Sequence, residues 1–129
     1  MRLLLDTHTL LWALGQSHRL SAEVRDRLGD RSNELVVSAA TPWEIATKYR
    51  KGKLPAGESV VRAYPDQLLR FGATELPITS RHALAAGMLE WDHNDPFDRV
   101  LAAQSIIEGI PLVTDDRVFS TLPGVQVIW

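Results

Sequence analysis

A parallel α/β sheet covered by helices on both faces is the fold class the sequence predicts, and three observations predict it. Apolar runs of strand length alternate with segments of helical periodicity along the whole chain. The first run, Arg2-Leu3-Leu4-Leu5, has no polar alternation and passes directly into a helical pattern, as a strand buried on both faces does. No repeat, low-complexity tract or long linker divides the 129 residues, so we expect one domain spanning 1–129.

Taken in order, Arg2–Leu5 is the first strand and Thr7–Leu14 the first helix, with Asp6 at the joint. Ser21 caps a second helix that runs to about Arg31, and Glu34–Ser38 is a β-branched second strand. The helix containing Thr41 to Tyr49 is stopped by Arg50-Lys51-Gly52-Lys53-Leu54-Pro55, cations followed by glycine and proline. A helix over Ser59–Arg70 is expected to turn Val60, Val61, Tyr64, Leu68 and Leu69 inward. Thr74–Ile78 is a short strand, edge-like because of Pro77, and Thr79-Ser80 caps a helix to about Leu89. A polar loop precedes the helix from Pro96 to Glu108, which Gly109 closes. Ile110–Thr114 and Gly124–Trp129 complete the strands.

Composition narrows the chemistry. Without cysteine there is no disulfide, thiolate zinc site or cysteine nucleophile, which suits a reducing cytoplasm. A formal net charge of −2 leaves any nucleic-acid contact to local patches. Asp6 and His8 interrupt the leucine-rich start, so it does not read as a signal peptide. No apolar stretch approaches the roughly 18 residues of a membrane span.

Acids stand where an open α/β sheet places its ligand crevice, beyond the carboxyl ends of the strands. Asp6 follows the first strand, Glu44 and Asp98 lie in first turns of helices, and Asp115 and Asp116 follow the fourth strand. Asp6, Glu44 and Asp98 each have a structural explanation. Asp6 is a favoured helix cap, Thr41-Pro42-Trp43-Glu44 fits a capping box, and Asp95-Pro96-Phe97-Asp98 fits a cap with an acid in the helix dipole. Gathered at one end of a sheet, however, they would repel one another unless a cation neutralised them. Oxygen ligands select Mg²⁺ or Mn²⁺, and the fitting chemistry is phosphodiester hydrolysis. His8, His18, His82 and His93 show no ligand spacing; His93, beside the Asp95-Pro96 turn, can touch the site or serve as a surface-turn residue, the preferred reading.

Four segments carry a resemblance to a known family: Leu3–Trp12, Val37–Ala46, His93–Arg99 with the helix after it, and Pro111–Asp116. In that order the chain resembles PIN-domain ribonucleases of the VapC toxin type. The resemblance implies five parallel strands ordered 3-2-1-4-5 and a Mg²⁺-dependent endoribonuclease, with Mn²⁺ able to substitute. By position it makes Asp6, Glu44 and Asp98 metal-binding catalytic acids. Asp116 is the fourth, with Asp115 beside it as a substitute or helper. It also implies an RNA substrate, a cognate antitoxin whose C-terminal segment blocks the crevice, and a homodimer.

Candidates for the substrate side are Lys48, Arg50, Lys51 and Lys53, a basic run denser than a helix end requires, and Arg99, which stands beside an acid and can meet phosphate or balance the acids. Thr7 and Thr114 can orient water or a carboxylate, or serve as ordinary turn residues. Trp12, Trp43 and Trp91 can stack on bases or pack against a partner. A signalling receiver domain shares this length and pattern, but it expects an acidic pair after strand one and a lysine after the last strand. A PIN fold with degenerate chemistry and an RNA-processing nuclease without an antitoxin are the other readings.

Overall fold

The computed structural model describes residues 1–54 and 57–129. Its five strands are β1 (Arg2–Leu5), β2 (Glu34–Ser38), β3 (Ala73–Leu76), β4 (Leu112–Val113) and β5 (Val127–Ile128), all parallel in the order β3-β2-β1-β4-β5. Six helices connect them: α1 (Thr7–Gly15), α2 (Ala22–Gly29), α3 (Ala40–Arg50), α4 (Gly57–Phe71), α5 (Ser80–Met88) and α6 (Pro96–Glu108). This is the expected fold class and strand order.

The central place of β1 follows from its side chains. Leu3, Leu4 and Leu5 are all 0% exposed, which requires cover on both faces. Leu3 and Leu5 join Leu10, Val24, Ile45 and Leu68 in one core layer, while Leu4 joins Leu101, Ala102, Leu112 and Phe119 in the other. The period of two along the strand thus divides its leucines between α1–α4 on one side and α6 with the 3-10 turn Arg117–Thr121 on the other. Replacing Leu4 by alanine should cost about 3 kcal/mol, read from the urea midpoint. An unchanged midpoint would mean that this layer collapses into the gap.

Several local expectations hold. Ser21 caps α2 by accepting from the Val24 amide at 3.1 Å, and Gly109 ends α6 at φ 66. Thr79 caps α5 in a capping box closed by His82. Others change. In α4, Ala63 leaves helical geometry two residues before Pro65, because proline lacks the amide and crowds the preceding turn. The bend rotates the inner face: Tyr64 and Leu68 are buried, but Val61 is 38% and Leu69 79% exposed. β4 and β5 shrink to two residues each. Pro55, expected to help stop α3, lies outside the described residues; Gly52 at φ 72 makes the turn there.

Candidate active site

Asp6 leaves β1 at the carboxyl end of the sheet, its amide extending the ladder to the Val113 carbonyl at 3.1 Å. It occupies the N-cap position of α1 but makes no side-chain cap hydrogen bond, so the cap reading does not describe it. Its carboxylate instead accepts from Thr114 Oγ1 at 2.7 Å. Burial raises the Asp6 carboxyl above its usual range; the Thr114 hydroxyl, His8 and the Thr7 amide pull it back, and Glu44 pushes it up.

Glu44 is also buried. The capping box expected between it and Thr41 is not formed. α3 begins earlier, at Ala40, whose amide is taken by Ser38 Oγ at 3.0 Å, and Thr41 already lies inside the helix. Glu44 is therefore released from backbone duty. Its Oε1 accepts from Thr7 Oγ1 at 2.7 Å and its Oε2 from Lys48 Nζ at 2.5 Å. Thr7 has one proton and gives it to Glu44, so the 3.2 Å contact with Thr41 Oγ1 is donated by Thr41.

Asp98 stands in the first turn of α6, where Asp95 caps the helix by accepting the Asp98 amide at 2.9 Å. The Asp98 side chain is mostly buried and its Oδ2 lies 2.7 Å from His93 Nε2. Burial pushes its carboxyl up to about 6; His93 opposes this, while Asp95, Asp6 and Glu44 add to it. Burial pulls the Lys48 ammonium down, but the hydrogen bond to Glu44 and the charges of Glu44, Asp95 and Asp98 leave it above its ordinary value. Asp6, Glu44 and Asp98 thus form one electrostatic unit, with Asp95 and Lys48 at its edge. Among the described residues no three acids stand at metal-ligand spacing, so they converge without closing on a single point.

Asp115 and Asp116 are not drawn into this unit. Both are exposed, and Asp116 caps the turn Arg117–Thr121 by accepting the Val118 amide at 3.0 Å. Its link to the acids is indirect: the Asp116 amide donates to Thr114 Oγ1 at 3.0 Å, and Thr114 holds Asp6. Arg99 differs from the expectation more sharply. Its guanidinium donates to the carbonyls of Ala86, Leu89, Trp91 and His93 at 2.7–2.9 Å, with Gly87 at 3.5 Å. Its donors are thus spent on the last turn of α5 and the loop before α6 and not left for phosphate. Thr7 and Thr114 do orient carboxylates. Arg50, Lys51 and Lys53 are exposed at the end of α3.

His93 and Thr41 were not singled out as site residues from sequence. The signal for His93 was available in its five-residue offset from Asp98 across the cap of α6. Trp43 is 54% exposed beside Glu44, its ring edge-on to Phe97 at 4.5 Å. Trp12 is covered by Arg19 at 4.5 Å from its ring, and Trp91 donates to Thr121 Oγ1 at 2.8 Å.

Residues 3–125 match the PIN domain family. The chain belongs to that family. As a PIN domain it has the parallel strand order β3-β2-β1-β4-β5 that the sequence resemblance implied. It is 40% identical over 60 residues to Ribonuclease VapC16 of Mycobacterium tuberculosis, an alignment that covers 46% of this chain and 43% of that relative. The chain thus aligns with less than half the length of this curated relative. Among solved structures it is similar to VapBC2 from Rickettsia felis bound to a promoter DNA fragment (TM-score 0.71, 18% identity, 99% of this chain and 98% of that one). DNA-bound VapBC from Salmonella typhimurium is similarly close (TM-score 0.70, 19% identity, 99% and 97%). At such identities these likenesses speak to the fold.

Proposed function

We propose that this PIN domain is a Mg²⁺-dependent endoribonuclease of the VapC type, the toxin of a toxin–antitoxin pair. The observation that carries the reading is the convergence of Asp6, Glu44 and Asp98, with two of the three carboxyls raised by burial and by one another. Unrelieved negative charge in a crevice is what a divalent cation resolves. The donor set fits a hard ion, being all oxygen in a chain without cysteine. When bound, Mg²⁺ or Mn²⁺ would supply Lewis acidity toward phosphate and water.

The chain's own groups set the stage for that chemistry. Asp6, Glu44 and Asp98 would hold the ion. Thr114 fixes the Asp6 carboxylate, Thr7 and Thr41 fix Glu44, and His93 fixes Asp98. Asp116, and Asp115 next to it, would add an outer carboxylate on the β4 side. Arg50, Lys51 and Lys53 would meet the RNA backbone at the end of α3, where neutralising them should flatten the salt dependence of binding. The resemblance to VapC proteins supports a cognate antitoxin, a homodimer and a cytoplasmic setting. Among the described residues no helix is long and apolar enough to cross a membrane.

The test is cleavage of a cellular RNA pool followed by sequencing of the cut ends, with wild type and Asp6→Asn. Wild type should cut at defined positions with Mg²⁺ or Mn²⁺ and stop with EDTA, and Asp6→Asn should be silent. Cleavage that survives chelation, or persists at the wild-type rate in Asp6→Asn, refutes the assignment.

A further inference from the structure

Glu44 presents its two carboxylate oxygens to two different kinds of partner. Oε1 is held by Thr7, a buried hydroxyl from the start of α1, and this contact fixes the side chain from within the protein. Oε2 is held by Lys48, one turn further along α3, whose side chain is 34% exposed while that of Glu44 is 5% exposed. Lys48 can therefore swing to solvent without disturbing the bond that positions Glu44. An ordinary i,i+4 pair on a helix surface has both ends in water, as Glu58–Arg62 does, and exposed pairs of that kind stabilise little. Here the acid is buried, so losing its partner leaves an uncompensated charge in the crevice. Asp95 and Asp98 also act on the Lys48 charge, which places the ammonium within the field of the acid group and not only beside Glu44.

We propose that Lys48 is a resident substitute for the metal ion: its ammonium neutralises Glu44 in the ion-free protein, competes with a divalent cation for that carboxylate, and is displaced when the cation arrives. The inference rests on the reading of Asp6, Glu44 and Asp98 as the metal site. A bound divalent ion would take Oε2, the oxygen that Lys48 holds, and repel the ammonium, so the two occupancies exclude each other. The competition keeps the empty site from carrying its full negative charge, and it lowers the affinity for the ion. Lys48, alone of the basic run, thereby acts on the acids first and on substrate only after release.

The test is calorimetric titration of MnCl₂ into metal-stripped wild type, Lys48→Met, Lys48→Arg and Asp6→Asn, with the thermal midpoint of each protein with and without Mn²⁺. Lys48→Met should bind Mn²⁺ about tenfold more tightly than wild type, since both the rival and its repulsion are gone. Its ion-free midpoint should fall, and saturating Mn²⁺ should raise it more than it raises wild type. Lys48→Arg, which keeps the charge, should bind Mn²⁺ much as wild type does. A merely structural lysine predicts the opposite for Lys48→Met: a lower midpoint together with weaker or equal Mn²⁺ binding, and that result overturns the proposal. If Lys48→Met does not fold, Lys48→Gln makes the same comparison. Wild type binding Mn²⁺ no better than Asp6→Asn overturns the metal-site reading and this inference together. Wild type binding better than Asp6→Asn, with no tightening in Lys48→Met, overturns only the role given to Lys48.

Discussion

Asp98→Asn should lower RNA cleavage at least about a thousandfold and, in the absence of metal, leave the chain more resistant to urea than wild type. The two effects share one cause. The Asp98 carboxyl is raised from 3.8 to about 6, first by burial and then by Asp95, Asp6 and Glu44. A raised acid binds its proton more tightly in the folded chain than in the unfolded one. Stability from this group is therefore greatest at low pH and declines as pH climbs from about 4 to about 6, above which the full cost of the ionised carboxylate is felt. Asparagine carries no such cost, so the variant should gain about 1 kcal/mol over wild type at pH 7, with the gap closing near pH 4. Asp6 is raised too and steepens both curves, but the difference between them reports Asp98. Mn²⁺ must displace the same proton, so wild-type affinity should weaken toward about tenfold per unit as pH falls below about 6. A variant that cleaves normally, or a stability gap that does not vary with pH, would show that burial and the neighbouring acids do not act on Asp98 in this way.

Arg99→Met should cost about 3 kcal/mol and impair cleavage although the residue never reaches substrate. The guanidinium satisfies the carbonyls of Ala86, Leu89, Trp91 and His93, the turns that carry the chain from α5 into α6. Methionine fills the volume but leaves those acceptors orphaned. Because one of the carbonyls belongs to His93, the loss should also loosen the 2.7 Å contact that holds Asp98. Arg99→Lys should recover only part of the stability, since an ammonium cannot reproduce the planar fork. Equal urea midpoints for Arg99→Met and wild type would reduce the clamp to a surface contact.

What the sequence made legible was the placement of acids relative to strands and helices. Leu3-Leu4-Leu5 before Asp6 announces a doubly buried strand, and Asp95-Pro96 announces the start of α6; both depend only on near neighbours. Glu44 was ambiguous for a physical reason: its spacing from Thr41 satisfies the rule for a capping box, and only the earlier start of α3 at Ala40 separates the two roles. The cap that Asp116 forms was not read from the sequence, where the resemblance alone placed it, with Asp115 as its substitute or helper. Thr7 and Thr41 met at Glu44 only when α1 packed on α3, whereas Lys48 and His93 stand four and five positions from the acids they hold. Arg99 was misread because adjacency to an acid in sequence does not tell which way a long side chain turns. In α4, the bend at Ala63 that Pro65 imposes reassigned a face that periodicity alone had placed inward.

The hydrogen bond from Thr114 to Asp6 joins residues 108 positions apart, and Thr9 Oγ1 reaches the Val113 carbonyl across 104. The contacts around Asp98 span 3–13 positions instead. The two halves of the acid group therefore differ in the order in which they can form. The Asp98 half closes short loops and can assemble locally, while Asp6 waits for β4 to arrive beside β1 and close a loop of 108 positions. A chain in which β4 has not docked holds Asp98 and its histidine but leaves Asp6 without its threonine. Completion of the acid group is then a late event, reached with the last strands and lost first if they detach.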